Sequence, residues 1–443
     1  MKKYVLLAAL GAFTLPAWAF DPMGAYQVRP PQGCVDKDVS TQALTLEDLV
    51  QISICTNPSL AAQYMGVKAQ EATLGVSRAQ YLPSVTVTGA GQITGEKIEG
   101  TNYVQDEPLS GKAEASWLLF DFGGREARTS STKAYVKAAT ATYNAAVHDL
   151  LLSVQTAYLN LLAAKESLVS AKASLDTYKQ SYEEAQKRYK LGMVSLSDKL
   201  QAKTRYEQSL LAVVQQENRV KQYSGALAVL INLRPDTDIQ LKEPVFDEKV
   251  IQIETDDVQA LMAQALEKRP ELLAQESTQQ AAKANLNAAR TRMLPSISAA
   301  ASAGIGDNWK RTSPYGVNTV AGLVVSWPIF SGFSNMYAAE QASYLYKQTQ
   351  NQTENTKRQV ENEVWSSYQN YKTAQRSYEI SKTVLESAEE NHRVAFRYYE
   401  VGKADILNLL SAVAQLADAR QNKITAFYSL LLSKANLYRS IGE

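Results

Sequence analysis

Between Val147 and Tyr189 apolar side chains return every seven residues: Val147, Val154, Leu161, Leu168, Leu175, Tyr182 and Tyr189. Three residues after each of the first six stand Leu150, Ala157, Ala164, Ala171, Tyr178 and Ala185. A seven-residue repeat sustained this long marks helices packed side by side along their length. The second half repeats it 210 residues later, with Val364, Tyr371, Tyr378 and Leu385 in one series and Val360, Ser367, Ala374, Ser381, Ala388 and Ala395 in the other. The spacing predicts long helices over 125–190 and 335–400, each extending about 100 Å at the helical rise per residue. No ordinary globular core is that long, so they must lie in a rod or in the wall of a tube.

Four other stretches alternate with period two. Ser84 to Ile93 puts Val85, Val87 and Ile93 on one face and Thr86, Thr88 and Gln92 on the other. Lys112 to Phe120 sets Ala113, Ala115, Trp117 and Leu119 against Lys112, Glu114 and Ser116. Ile297 to Ile305 and Thr319 to Trp327 repeat the design, giving strand hairpins at 84–120 and 296–330. Each alone fits an ordinary sandwich as well as a membrane strand of roughly ten residues ending in an interfacial aromatic. A sheet in lipid must close, because open edges leave backbone groups unsatisfied, and known barrels start at about eight strands. Four strands in a membrane therefore require several chains to share one barrel, which favours the tube.

The halves are copies of one design. Asn57-Pro58 answers Arg269-Pro270 and "YLPS" at 81–84 answers "MLPS" at 293–296, both 212 residues apart. Ser116-Trp117 and Ser326-Trp327 lie 210 apart, as do Gly192 and Gly402, which break each helical pair. The expected organisation is a first repeat at 44–233, a Pro- and Asp-rich connector at 234–257 and a second repeat at 258–443. Each repeat runs helix, strand hairpin, long helix, glycine turn, helix. The prolines suit first-turn helix positions, and Asp121, with Ser334 or Asn335 in the second copy, suits capping of the long helices.

Composition changes the picture mainly at the N-terminus. Lys2, Lys3, an apolar run and Ala17-Trp18-Ala19 make residues 1–19 a secretory signal peptide. No later window is apolar enough for a spanning helix. Basic residues number 46 and acidic residues 45, which points away from nucleic acid. Segment 20–43 carries Cys34, and Cys55 follows in the first repeat. In an oxidising compartment such a pair is expected to form a disulfide; metal ligation, the alternative, lacks nearby histidine. Neither cysteine follows the cleavage site, so no lipid attachment is expected. His148 and His392 read as structural or pore-lining, the tyrosine stripe as core, and Glu183 and Glu184 as a solvated face. No nucleophile–base pattern, phosphate loop or metal spacing is present, and neither enzyme activity nor a cofactor is expected.

The signal peptide, the duplicated plan, "LFDFGG" at 119–124 with its partner "PIFSG" at 328–332, and the turn "RYKLGMVSLSD" at 188–198 together resemble the TolC family of outer-membrane export channels. The resemblance spans nearly the whole mature chain. It implies a mainly α fold with a small β part: an α-barrel of duplicated coiled-coil helices, and four strands per chain in a shared trimeric 12-stranded transmembrane β-barrel. It also implies a Gram-negative outer-membrane location with a periplasmic extension, and a passive duct. The implied partners are a periplasmic adaptor (membrane fusion protein) and an inner-membrane pump, ABC or proton-driven. Type I protein secretion is favoured by a short C-terminus and the cysteine pair; multidrug efflux is the alternative. An adhesive coiled-coil surface stalk is a different class, and its sequence would show one uninterrupted heptad array.

By the same resemblance the glycine turns are periplasmic tips. Arg188, Tyr189, Gly192, Met193, Val194, Leu196 and Gly402 are expected to dock the adaptor, and the apolar side chains at a point with no core beneath them agree with that. Asp198 and Tyr399 match residues of the family's closed gate. The family's gate arginine is replaced by Ala404, leaving Arg397 or Lys403 as substitutes. Its two pore-ringing aspartates are replaced by Asn408 and Ser411, with Asp405 nearby. Trp117 and Trp327 are expected at the membrane interface.

Overall fold

The computed structural model describes residues 43–96, 104–106, 108–237, 239–242, 253, 257–308 and 316–443. The fold class is the expected one, mainly helical with duplicated long helices and a four-stranded antiparallel sheet. In chain order the elements are α1 (Leu46–Thr56), α2 (Pro58–Ala79), β1 (Ser84–Gly91), β2 (Thr94–Glu96), β3 (Val104–Asp106), β4 (Pro108–Phe120), α3 (Gly124–Lys190) and α4 (Leu196–Leu230). There follow α5 (Val258–Lys268), α6 (Pro270–Thr291), β5 (Ser296–Asn308), β6 (Gly316–Ser326), α7 (Ser334–Glu400) and α8 (Ile406–Ser440). Strands interrupt the helices in both halves, unlike the single heptad array of a stalk.

Two compact units form. One gathers Met65–Ala141 with Leu273–Glu354; the other gathers Thr142–Leu272, Asn355–Glu443 and the described residues up to Tyr64. In the first, the sheet order is β1-β4-β5-β6, every pair antiparallel, while β2 and β3 make a separate ribbon. The boundaries differ slightly from the period-two reading. β1 stops at Gly91, β4 begins earlier at Pro108, and Trp327 lies just past β6. The register slips between Leu118 and Phe120, so Phe120 rather than Leu119 stands opposite Ile297. Such a bulge moves later side chains to the other face, an event that alternation alone does not encode.

In the second unit the seam residues Val154, Ala157, Leu161, Ala164, Tyr178 and Ala185 are buried. Val154 and Leu161 join Leu49, Leu227 and Ile231 in one core. Val360, Val364 and Tyr371 pack with Leu430 and Leu437 in another. A further row at sevens, Ser167, Ser174, Ser181 and Arg188, is also buried and escapes a hydrophobicity count because it is polar. Small serines admit a neighbouring helix: Ser181 Oγ donates to the Thr177 carbonyl at 3.0 Å, and Ser167 Oγ accepts from Gln421 Nε2 of α8 at 3.1 Å. Tyr189, the last residue of the expected seam, is exposed where the helix ends.

Helix starts follow local chemistry. Asn57 Oδ1 accepts the Ser59 and Leu60 amides at 2.9 and 3.2 Å, and Pro58 opens α2, where an N–H would be unpaired anyway. Asp121 Oδ2 accepts the Arg125 amide at 2.7 Å, as its expected capping role requires. In the second copy Ser334 is already the first residue of α7, and Asn335 directs its Nδ2 to the Arg292 carbonyl at 3.5 Å instead.

Candidate functional site

The four-stranded sheet has two faces of different character. Paired positions place Val85, Val87, Ala113, Ala115, Trp117, Ala299, Ala301, Ile305, Leu323 and Val325 on one side. The opposite side is mixed, carrying Thr86, Thr88, Lys112, Glu114, Ser116, Ser298, Ser302 and Asn318 together with Leu118, Val320 and Val324, and Lys112 and Glu114 are paired at 2.5 Å. Val85, Val87, Leu323 and Val325 are exposed, so none of the described residues covers the apolar face. β1 and β6 are the two ends of the strand order, and each has a hydrogen-bonded neighbour on one side only among the described residues. An uncovered apolar face together with open edges suits lipid and further strands, not water.

The sheet is tied to its helices by repeated contacts. Trp117 Nε1 donates to the Tyr81 carbonyl at 2.9 Å, and Trp327 Nε1 donates to the Met293 carbonyl at 3.2 Å. Arg125 is buried; it donates to the Leu118 and Leu119 carbonyls beside the bulge at 2.5 and 2.8 Å and lies 4.8 Å over the Tyr81 ring. That clamp was invisible in the sequence, where Arg125 is merely the first residue of a helix expected over 125–190. No helix among the described residues is long and apolar enough to cross a membrane.

The glycine turns share one geometry. Gly192 and Gly402 have φ of +70° and +71°, in the left-handed region that a Cβ disfavours. In each, the glycine amide donates to the carbonyl three residues back (Tyr189 or Tyr399, 3.0 Å). The next amide donates five residues back, Met193 to Arg188 at 2.9 Å and Lys403 to Tyr398 at 2.8 Å. This is the Schellman closure of a helix C-terminus. Three residues on, a cap opens the next helix. Ser195 and Asp198 exchange backbone–side-chain bonds at 3.0 and 3.1 Å, and Asp405 accepts the Asn408 amide at 2.8 Å. The sequence thus needs only five residues between helices, 191–195 and 401–405, to reverse each long helix.

Of the residues expected at these tips, Met193 and Leu196 are exposed, Val194 is half-buried, and Leu191, Tyr398, Val401 and Leu407 enlarge the exposed apolar surface. Tyr189 is exposed beneath the Lys199 ammonium at 5.0 Å. Arg188 differs. It is 8% exposed, pairs with Glu184 at 3.0 Å, donates to the Glu400 carbonyl and lies 4.7 Å over the Tyr399 ring. Its side chain is spent holding α3 to α7 and is not offered outward. Asp198 and Asp405 are engaged as caps; Asn408 and Ser411 are exposed on α8. Tyr399 is buried, with a hydroxyl lacking a hydrogen-bond partner. Burial raises its pKa, the Arg188 charge opposes that rise, and Glu184 and Asp198 add to it.

A charged cluster that the sequence did not reveal joins α3, α6, α7 and α8. Arg269 pairs with Glu271 at 3.2 Å and with Glu363; Arg439 pairs with Asp149 at 2.6 Å and with Glu271. Burial pushes the Glu271 carboxyl up. Hydrogen bonds from Arg269 and from its own backbone, with the charges of Arg269 and Arg439, outweigh that and hold it below the usual range. Only the repeat position of Arg269, opposite the capping Asn57, hinted that it had changed role. Cys55 carries no free thiol, while Cys34 lies outside the described residues. Among the described residues no group of His, Cys, Asp and Glu is arranged to hold a metal.

A family model described as Outer membrane efflux protein matches residues 49–233 and 261–443. Outer membrane protein TolC of Escherichia coli is 25% identical over 416 residues, covering 91% of this chain and 83% of that protein. Toluene efflux pump outer membrane protein TtgC of Pseudomonas putida is 25% identical over 410 residues, covering 90% and 82%. The solved outer-membrane channel OprN superposes with a TM-score of 0.78 at 20% identity, over 94% of this chain and 98% of that one.

Proposed function

Because the chain belongs to the outer membrane efflux protein family, we propose that it forms a homotrimeric, passive exit duct for a tripartite export system of a Gram-negative outer membrane. The observation that carries this reading is the sheet: four strands, an uncovered apolar face and two open edges. Three copies supply twelve strands and leave no edge in lipid. The exposed apolar side chains around Gly192 and Gly402 suit a periplasmic adaptor, with transport energy from an inner-membrane pump. No catalytic step is assigned to this chain. We keep the Cys34–Cys55 disulfide as part of the proposal.

Among cargo classes we favour secreted polypeptide. Ala404, Asn408 and Ser411 carry no charge, and Asp405 is held as a helix cap. Without carboxylates at 408 and 411 the tip carries fewer fixed charges, those of the capping Asp198 and Asp405, and imposes a weaker charge filter on a polymer bearing both signs. Small-molecule efflux is the second reading, supported by the 25% identity to a protein named for toluene efflux. Deletion of the gene, with secreted proteins and drug susceptibility compared in parallel, separates the two. Loss of one secreted protein with unchanged drug tolerance supports polypeptide export; unchanged secretion with drug hypersensitivity supports efflux.

A further inference from the structure

β4 carries two opposite charges that the sheet does not need for its own fold. Lys112 and Glu114 stand two residues apart, so both side chains leave the strand on one face. The ammonium meets the carboxylate at 2.5 Å, and the side chains are 52% and 49% exposed. The one further charge among the described residues of β1, β4, β5 and β6 is Asp307, beside the end of β5 and opposite Leu109 on the apolar side. Charges often blunt an open sheet edge. β4 has no open edge, since Thr86 and Thr88 flank the pair from β1 and Ser302 and Gly304 flank it from β5. An exposed ion pair adds little stability. Duplication does not account for it either, because Gly322 and Val324 stand 210 residues on, at the matching positions of β6.

The face they share gives them their surroundings. Ala113, Ala115 and Trp117 project to the uncovered apolar side, where a charge would be costly in lipid. Lys112 and Glu114 project to the mixed side, among Thr86, Thr88, Ser302 and Asn318. With the apolar side in lipid, the mixed side lines the bore, and three chains place three such pairs around it. Twelve strands about 4.8 Å apart and tilted by roughly 40° enclose a radius on the order of 12 Å. Salt at 0.15 M screens charges beyond about 8 Å, short of the axis, whereas at 0.01 M the screening length is about 30 Å and spans the bore. Touching charges of opposite sign cancel at the axis; either one alone would not.

We propose that Lys112 and Glu114 set the charge selectivity of the barrel: a self-neutralised ring in which each charge masks the selectivity of the other, leaving a bore indifferent to the sign of its cargo. This role rests on the trimeric duct reading. The test uses full-length protein in planar bilayers under a potassium chloride gradient at low salt, with the reversal potential giving the potassium-to-chloride permeability ratio. Lys112→Gln should raise that ratio about threefold over the native protein and Glu114→Gln should lower it about threefold, both shifts vanishing at about 1 M salt. The exchange Lys112→Glu with Glu114→Lys should return the native ratio. Asp198 and Asp405 at the tips are common to all variants and drop out of the comparison. Pores whose ratio stays native in both single variants overturn the proposal and leave the duct standing. Where a charge-removing variant fails to insert, Glu114→Cys gives the second readout, since no described cysteine has a free thiol. Cationic and anionic methanethiosulfonate reagents added to open pores should shift the ratio in opposite directions. Indifference to both places residue 114 outside the bore and overturns the proposal. A native protein that inserts without conducting defeats the duct reading, and the proposal with it.

Discussion

The guanidinium of Arg188 lies 4.7 Å over the ring of Tyr399 and also donates to the carbonyl of Glu400, fastening the last turn of α3 to the last turn of α7. Two interactions of different kinds meet there, a cation–π contact and a charged hydrogen bond to a helix C-terminus. Their loss in Arg188→Ala is expected to cost about 2–3 kcal/mol, felt locally. Tyr399→Phe removes a hydroxyl that has no hydrogen-bond partner and should change stability by less than about 0.5 kcal/mol. Hydrogen exchange of the amides from Glu400 to Asn408 checks both: fast in Arg188→Ala, unchanged in Tyr399→Phe. Equal exchange in the two variants contradicts the fastening role.

Gly192 and Gly402 have nothing within 4 Å of a would-be Cβ, so the cost of a side chain there is conformational and not steric. Gly192→Ala and Gly402→Ala should each lose about 1–2 kcal/mol. Gly192→Asn should lose less, because asparagine tolerates the left-handed region. Thermal melts of the three variants in detergent rank them.

Much of this was legible because it is periodic. The sevens of α3 and α7, the twos of the strands and the glycine-plus-cap signature of the turns are local patterns, and the structure follows them within a few residues. What escaped was set by tertiary partners. Arg188 looked like part of a docking turn but is buried, held by Glu184, the Tyr399 ring and the Glu400 carbonyl. Arg269 looked like a degenerate copy of Asn57 until Glu271 and Glu363 stood around it. The bulge between Leu118 and Phe120 leaves no mark in a two-residue alternation, and the positive φ of Phe122 (+53°) and Phe333 (+63°) is masked by the adjacent Gly123 and Gly332, to which a sequence reading assigns the turns.

Acid should weaken the second unit through His392. Its Nε2 is buried without a hydrogen-bond partner, and burial, with the Arg420 charge, depresses its pKa. A depressed folded value means the unfolded chain takes up the proton first. Stability is then complete above the unfolded value of about 6.5 and falls as pH drops through it toward the folded one. Melting temperature measured from pH 7.5 to 5.5 should decline in the native protein, and His392→Gln should flatten that decline. An identical slope in the variant would remove His392 from the account.

The tip chemistry predicts weak charge selection. With Asn408 and Ser411 uncharged, hexamminecobalt at micromolar concentration should leave the single-channel conductance in planar bilayers nearly unchanged. The double variant Asn408→Asp, Ser411→Asp should become cation-selective and blocked. Tight block of the native channel contradicts this reading of the tip.

Arg269→Ala should destabilise by about 3 kcal/mol, because it strands the half-buried Glu271 carboxylate with one cation fewer. Its Glu271→Gln partner variant should recover part of that loss. A denaturation cycle on the two single variants and the double variant measures the coupling.

The account stands on one polypeptide supplying a sheet too small to close. The mass of the unheated protein extracted from outer membranes in mild detergent tests this most directly. Three protomers per particle, collapsing to one on boiling, is the predicted result; a folded single protomer stable in bilayers contradicts it.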